Sequence, residues 1–188
     1  MRSRIYVLIN VISRMKDRFF NHLQIAHLRA KGAVIGKNLV LGRDCRIALN
    51  PGAKVTIGDN VVIDRFTDIQ VESGAELRIG SRVYIGKRNT ISARQSVHIG
   101  DNVFTAHDVT ILDVDHNFQG TDKPIRDQGG AIHSVTLAND IWIATGVTIL
   151  AGVKLGKRTV VAAGSVVTKS HDGGAVLAGI PAHSIKTI

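Results

Sequence analysis

The chain has one cysteine, no long apolar run and few aromatic residues. Its single cysteine, Cys45, rules out a disulfide within the chain, so a disulfide-stapled scaffold is excluded and a reducing, cytoplasmic location is expected. The longest run of apolar residues, 5–9, is too short to cross a bilayer. Aromatic residues amount to only 4%, which favours an interior of branched aliphatic side chains over one built around rings.

Acidic residues are scarce relative to basic ones, and the formal net charge is +9. Such a charge suits a nucleic acid, an anionic membrane surface or a phosphate-bearing ligand. The sequence has no zinc-finger spacing, RNA-binding signature or helix-turn-helix pattern, so no nucleic-acid partner is expected. A phosphorylated ligand and a membrane surface remain as partners for the basic residues.

A short repeat, in contrast, is abundant. An aliphatic residue opens each unit at positions 35, 57, 79 and 99, and again at 137 and 155. Within each unit a period of six appears, and Thr105 is its one member that is not aliphatic. The positions are Ile35, Leu41, Ile47; Ile57, Ile63, Ile69; Ile79, Ile85, Ile91; Ile99, Thr105, Ile111; Leu137, Ile143, Ile149; and Leu155, Val161, Val167.

This period fits neither an amphipathic helix nor a single alternating strand. It predicts an all-β fold of about six triangular coils, each of three short strands whose inward residues stack on the next coil. The extra residues at 50–52 and 73–74 predict turns. Cys45 and Asn89 fall at inward positions and are expected to be buried structural side chains. A β-sandwich of evenly spaced strands is the alternative.

Residues 1–32 differ from the repeat and predict an N-terminal amphipathic helical segment before a β-helix domain over 33–188. The apolar stripe consists of Ile5, Leu8, Ile9, Ile12, Met15, Phe19 and Leu23, with basic residues around it. Two interpretations stay open. The helix packs on the coils or on a neighbouring subunit, or it lies on an anionic membrane surface as a peripheral contact at the inner face of the membrane.

The repeat breaks after Ile111. From 99 to 137 is 38 residues, which exceeds an 18-residue coil by 20. The excess carries titratable and aromatic side chains, among them Asp113, Asp115, His116, Phe118, Arg126 and His133. Because long insertions on rigid scaffolds are usually functional or disordered, and this one is rich in chemistry-bearing residues, it predicts an inserted loop that forms the active site.

Residues 33–188 resemble the hexapeptide-repeat acyltransferases, a family with a left-handed parallel β-helix. The matching motifs are Ile-Gly-Asp-Asn-Val at 99–103, Val-Thr-Ile at 109–111 and a histidine shortly afterwards, His116. The resemblance is closest to the branch of maltose and galactoside O-acetyltransferases and their polysaccharide-modifying relatives. It implies acetyl-CoA as acyl donor without a metal, a sugar or glycan acceptor, and a homotrimer with active sites between subunits.

The resemblance gives His116 the role of catalytic base, because the matching histidine has that role in the family. A base must remove the proton of the attacking hydroxyl, and imidazole titrates in the right range. Asp113 and Asp115 are candidates to orient the ring, although a backbone carbonyl could serve. Phe118, Arg126 and His133 are candidate acceptor-binding residues.

The resemblance also implies a donor site along the later coils. Its candidate residues are Trp142, Ala144, Thr145, Ala162, Ala163, Lys169 and His183. Backbone contacts are expected at Thr145 and Ala163, with Lys169 near the cofactor phosphates. Trp142 either contacts the donor or simply packs.

Several positions depart from the family pattern. Relatives commonly have Gly at 144 and 162, Arg or Lys at 183, and often Pro at the position of His107. Some sugar acetyltransferases carry an Asn where this chain has Gly86, so acceptor binding is expected to differ.

Three alternatives remain for the function. Related β-helix enzymes acetylate amino sugars, and the same activity would make the chain an N-acetyltransferase. A γ-type carbonic anhydrase needs three converging histidines with a His-x4-His spacing, whereas His107 and His116 are nine residues apart. A non-catalytic structural β-helix subunit would not need the polar insertion.

Overall fold

The computed structural model describes residues 20–120 and 122–188, and in them three strands follow one another around each of six coils. Coils 1 to 3 contain β1 (Val34–Ile35), β2 (Val40–Leu41), β3 (Arg46–Leu49), β4 (Lys54–Ile57), β5 (Val62–Ile63), β6 (Asp68–Val71), β7 (Glu76–Ile79), β8 (Tyr84–Ile85) and β9 (Thr90–Ala93). Coil 4 contains β10 (Ser96–Ile99), β11 (Phe104–Thr105) and β12 (Thr110–Leu112), and the insertion that follows it contains β13 (Val114–His116), a 3-10 turn (Ile125–Asp127) and β14 (Gly130–Ile132). Coils 5 and 6 contain β15 (Val135–Leu137), β16 (Trp142–Ile143), β17 (Thr148–Ile149), β18 (Lys154–Leu155), β19 (Thr159–Val161) and β20 (Val166–Val167).

Three parallel sheets form the sides of the coil. Sheet 1 takes the first strand of every coil, sheet 2 the second and sheet 3 the third, each in coil order. The registers match the six-residue period, as where Ile57 pairs with Ile79 and Ile69 with Ile91. The paired aliphatic side chains are buried in one continuous core. The predicted parallel β-helix of about six coils is therefore confirmed.

The corners depend on residues that tolerate left-handed backbone. Where sheet 2 meets sheet 3, Asp44, Phe66, Arg88, Asp108 and Gly146 all have positive φ, from 55° to 71°. Short Asp and Gly adopt this conformation at little cost, whereas Phe66 and Arg88 are strained there. The predicted turns at 50–52 and 73–74 are present, each with a positive-φ glycine.

Thr105, the one polar member of the six-residue series, is hydrogen-bonded to a buried amide. The Asn89 side-chain amide donates to Thr105 Oγ1 at 2.6 Å, and its carbonyl accepts the Val109 N–H at 2.7 Å. Both side chains are buried, so the predicted structural role of Asn89 is confirmed. Thr105 departs from the aliphatic pattern because it satisfies this interior amide.

Cys45 is buried, as predicted. Its thiol contacts the Asp64 carbonyl oxygen at 3.0 Å, and burial raises the pKa of the thiol. A thiol held protonated in this way is a poor nucleophile, which supports a structural role.

A helix, α1, covers residues 20–30 and packs on coil 1. Leu28 is buried against the core, and the Asn21 side chain accepts the Leu41 N–H at 2.8 Å. This part of the helix therefore packs on the coils, as one interpretation expected. Leu23, assigned to the apolar stripe, is instead 50% exposed, because the buried face is formed by Ile25 and Leu28. The stripe residues from 5 to 19 lie outside the described residues.

The last two strands close the far end. β21 (Ala175–Gly179) extends sheet 2 in parallel with β19, and β22 (Ala182–Thr187) pairs antiparallel with β21. None of the helices in the described ranges is both long and apolar enough to cross a membrane.

The outer face of sheet 2 carries an apolar side chain on every strand from β2 to β21. Side chains in register on successive strands form what we call the apolar ladder: Val40, Val62, Tyr84, Phe104, Trp142, Val160 and Val176. The Tyr84 and Phe104 rings stack with centroids 5.2 Å apart. Phe104 is 45% and Trp142 51% exposed, so residues 20–120 and 122–188 leave the ladder uncovered.

Candidate active site

The insertion is a β-hairpin that leaves the corner between sheets 3 and 1. Its strands β13 and β14 pair antiparallel, with His116 opposite Gly130. The chain leaves β12 at the end of sheet 3 and re-enters sheet 1 at β15. The long inserted loop was thus predicted, while its hairpin form was not.

Asp113 anchors the base of this hairpin. Its buried carboxylate accepts the N–H groups of Arg94, Gln95 and Ser96 at 2.8 to 3.0 Å. Its own carbonyl accepts the His133 N–H at 2.8 Å, which ties the returning strand to the outgoing one. The Asp113 side chain is thereby directed at the preceding coil, and its predicted role in orienting His116 stays a prediction.

His116 lies on the exposed part of the hairpin, beside a cavity of about 590 Å³. The lining residues are Asp115, His116, Asn117, Phe118, Gln119, Lys123, Asp127, Gln128 and Ala131. The His116 N–H donates to Asp115 Oδ1 at 2.7 Å, while no residue of the described chain bonds to the His116 ring. The imidazole is thus available to a ligand or to a second chain.

Of the other residues predicted to bind the acceptor sugar, one lines this cavity and two do not. Phe118 lines it and is 63% exposed, so its ring offers an apolar surface. Arg126 is exposed and forms an ion pair with Asp127 (3.6 Å) without lining the cavity. His133 lies at the hairpin base, where its carbonyl accepts the Gly152 N–H. Lys123 also lines the cavity, and the sequence had indicated it as a hydrogen-bonding residue of the insertion. The lining residue Gln128 was not predicted, because sequence spacing does not show how an irregular loop folds back.

A column of backbone donors runs along the corner between sheets 2 and 3. The register of Thr105 with Ile143, and of Ile143 with Val161, stacks His107, Thr145 and Ala163 on successive coils. Their carbonyls accept N–H groups from the next coil where there is one, as in Gly146 to His107 at 3.0 Å and Gly164 to Thr145 at 2.9 Å. Their own N–H groups make no hydrogen bond within the described residues. We call these three groups the amide column.

The remaining residues predicted to bind the acyl donor lie partly beside the amide column and partly away from it. Ala144 and Ala162 precede Thr145 and Ala163 at the same corner, and Trp142 lies on the adjacent face of sheet 2. Lys169 follows β20 at the other edge of sheet 3, and His183 lies on the closing hairpin opposite Ala178. The backbone positions were therefore brought together, while the two basic side chains lie apart from them.

Within one chain, the amide column and His116 lie at different corners. His107 lies before β12 and Asp113 directly after it, so the length of this strand separates the two corners. The cavity at His116 is lined by hairpin residues alone, without any of the predicted donor residues. The amide column and the His116 hairpin, which are the two halves of the predicted site, therefore lie at opposite ends of the sheet 3 strands.

Among the described residues, no group of three or more His, Cys, Asp or Glu side chains is arranged to hold a metal ion. His107 lies at the corner between sheets 2 and 3, and His116 on the hairpin beyond the opposite edge of sheet 3.

A stack of triangular coils with one inserted histidine-bearing hairpin defines a parallel β-helix protein of hexapeptide repeats. The model of the hexapeptide repeat of succinyl-transferase matches residues 76–104 and 145–169. The chain therefore carries hexapeptide repeats like those of this family model over these two stretches.

Its relatives include both O- and N-acyltransferases. The chain is 36% identical over 104 residues to galactoside O-acetyltransferase of Escherichia coli K12. The matched region covers 53% of this chain and 48% of that protein. The chain spans about half the length of the curated relatives it matches.

Solved structures share the fold at lower identity. AntD, an N-acyltransferase from Bacillus cereus in complex with dTDP and 3-hydroxybutyryl-CoA, has a TM-score of 0.72 at 22% identity, over 86% of this chain and 87% of that chain. A maltose O-acetyltransferase from Clostridium difficile 630 has a TM-score of 0.61 at 24% identity, over 82% and 69%.

Proposed function

We propose that the chain is an acetyl-CoA-dependent O-acetyltransferase that acts on a sugar hydroxyl, with His116 as general base. The observation that carries this proposal is the exposed imidazole on a hairpin anchored to the coil, beside a cavity with both polar and aromatic lining. A base must reach the proton that it removes, and an unengaged ring on a fixed strand meets that requirement.

The amide column fits the acyl donor. Acetyl-CoA, when bound, supplies an acetyl group activated as a thioester. The Thr145 and Ala163 N–H groups would hold the amide carbonyls of its pantetheine arm, because these donors face outward without a partner in the described chain. Lys169 and His183 would lie toward the phosphates, at the C-terminal end of the coil.

The residues of the chain then have defined tasks in the transfer. His116 accepts the proton of the acceptor hydroxyl as that oxygen bonds to the acyl carbon, and passes it to the sulfur as the C–S bond breaks. Asp113 keeps the hairpin in place through its three amide bonds. Phe118 offers its ring to the apolar face of a sugar, and Asp115 and Asp127 accept hydrogen bonds from hydroxyls.

The separation of the two half-sites supports a homotrimer. A cyclic assembly places the same surface of each chain against a different surface of its neighbour. The hairpin of one chain then meets the amide column of the next. The uncovered apolar ladder beside that column offers the apolar contact area such an interface needs.

Oxygen and nitrogen acceptors remain to be separated, since the similar structures include the N-acyltransferase AntD. The cavity lining favours an uncharged sugar hydroxyl, because two carboxylates and one lysine give little attraction for a nucleotide diphosphate. Mild hydroxylamine or alkali should release the acetyl group from the product as expected of an ester. An acetyl group that survives this treatment would identify the product as an amide.

The basic N-terminal residues support a peripheral contact with the inner face of the membrane, as part of a cytoplasmic location. Deleting residues 1–20 should then reduce binding to vesicles that contain anionic phospholipid. A full-length chain that ignores such vesicles would leave only the packing role.

Two measurements test the proposed activity as a whole. Thiol release from acetyl-CoA should be stimulated by maltose or a methyl galactoside, and acetyl-CoA alone should raise the melting temperature by mass action. The absence of both effects would contradict the proposal.

A further inference from the structure

His107 holds a second imidazole in a defined orientation. The Lys87 N–H, one coil earlier, donates to His107 Nδ1 at 3.3 Å. A ring nitrogen that accepts a hydrogen bond cannot carry the proton, so the proton lies on Nε2. The ring of His107 therefore presents an N–H donor on the side away from Lys87.

The surroundings leave this donor open. Coil 3 contributes no side chain at Gly86, where a Cβ would collide with the Ala106 carbonyl. The neighbouring Asp108 carboxylate is engaged by Arg88 through two bonds of 2.7 Å, which lower the pKa of Asp108. Asp108 is thus occupied on the side of Arg88, and no described residue accepts a bond from His107 Nε2.

The position of His107 continues the amide column. Ala163 and Thr145 lie on coils 6 and 5, and His107 lies one coil further, about 4.8 Å from Thr145. With the phosphate end of the donor toward Lys169 and His183, the acyl end points toward coil 4. The His107 donor then lies where the acceptor must approach the acyl group.

We propose that His107 determines acceptor specificity by donating its Nε2–H to an oxygen of the acceptor sugar next to the hydroxyl that is acetylated. This inference rests on the proposed function. It assigns a role to a residue that the family resemblance left without one, at a position where a proline could offer no such donor.

Two substitutions separate the two nitrogens of the ring. His107→Gln keeps a side-chain N–H near the position of Nε2, whereas His107→Asn can still accept from Lys87 but is too short to reach the acceptor. With maltose or a methyl galactoside, whichever gives faster thiol release, His107→Asn should raise the acceptor KM about tenfold, the usual worth of one hydrogen bond to a bound ligand. His107→Gln should stay within about threefold of the original chain, and the KM for acetyl-CoA should not change.

His171 provides a matched control. Its Nδ1 likewise accepts a backbone N–H, from Gly173 at 3.1 Å, but it lies outside both half-sites. His171→Asn should leave the acceptor KM unchanged. An unchanged acceptor KM in His107→Asn, or an equal rise in the His107 and His171 variants, would overturn the assignment.

A second readout does not depend on turnover. Nitrogen NMR of histidine-labelled protein should show His107 with the proton on Nε2, and the resonance should shift when the sugar is added in the presence of CoA. A proton on Nδ1 would overturn the proposal. If the original chain neither binds acetyl-CoA nor releases thiol, the proposed function has failed; if it does both and the His107 variants match it, only the role of His107 has failed.

Discussion

At the scale of single residues, the site depends on side chains that the fold leaves without partners. The His116 ring bonds to nothing in the described chain, whereas the interior polar groups Asn89 and Thr105 satisfy each other. Buried polar groups need partners to avoid a desolvation cost, whereas the exposed His116 ring needs none and stays accessible to a ligand.

His116→Ala should therefore leave the fold intact and reduce kcat by roughly 10²–10⁴, the usual contribution of a general base. Steady-state thiol release measures the effect, and circular dichroism with thermal melting measures the fold. His171→Ala serves as the control and should retain full turnover. Near-normal turnover in a well-folded His116→Ala would remove the residue from the mechanism.

The period of six identified one buried aliphatic residue on almost every strand of the coils, because coil packing repeats and leaves a direct trace in the sequence. The histidine was found by the break in that period. The amide column could not be found in this way, since which backbone N–H groups lack partners depends on how the corners stack. His107 was given no role because relatives often have Pro at its position, and only the structure shows the bond from Lys87 that orients its ring.

At the scale of elements, the hairpin is held by its base more than by its own strands. β13 and β14 are short, and an isolated two-stranded hairpin is marginally stable in water. The Asp113 carboxylate supplies the connection to the coil by accepting three successive N–H groups. Its hairpin form escaped prediction because the insertion has no period of its own.

Asp113→Ala should destabilise the chain by roughly 2–4 kcal/mol, because it leaves several buried N–H groups without an acceptor. Hydrogen exchange should show faster exchange in the hairpin than in the coils, together with a fall in kcat. Asp59→Ala is the matched control, since Asp59 accepts the single exposed Lys37 N–H at the opposite end of the coil. Equal exchange in the two variants would contradict the anchoring role.

At the scale of the whole molecule, the outer faces differ in what they can contact. Sheet 1 carries charged residues such as Glu76, Arg78 and Lys154 on its outer face, while sheet 2 carries the apolar ladder. Glu76 has its pKa lowered by its hydrogen bond from Arg78. The charged face suits solvent, and the ladder suits a neighbouring subunit.

Phe104→Lys should therefore convert the proposed trimer to monomers, because it buries a charge at the centre of the ladder. Sedimentation at micromolar concentration measures the assembly. Val34→Lys is the control, since Val34 is also exposed and apolar but lies on sheet 1. A Phe104→Lys chain that remains trimeric would move the interface to another face.

Subunit complementation tests most directly whether the active site is built from two chains. His116→Ala damages the hairpin half-site, and Thr145→Pro removes one N–H from the amide column, so each variant alone should have strongly reduced activity. When the two are co-expressed in equal amounts, each mixed trimer should contain one site that combines an intact hairpin with an intact column from a neighbour, which is about a quarter of all sites. The account predicts thiol release near that fraction of the original activity. Mixed trimers as inactive as either parent would show that His116 and the amide column act within one chain, or not together at all.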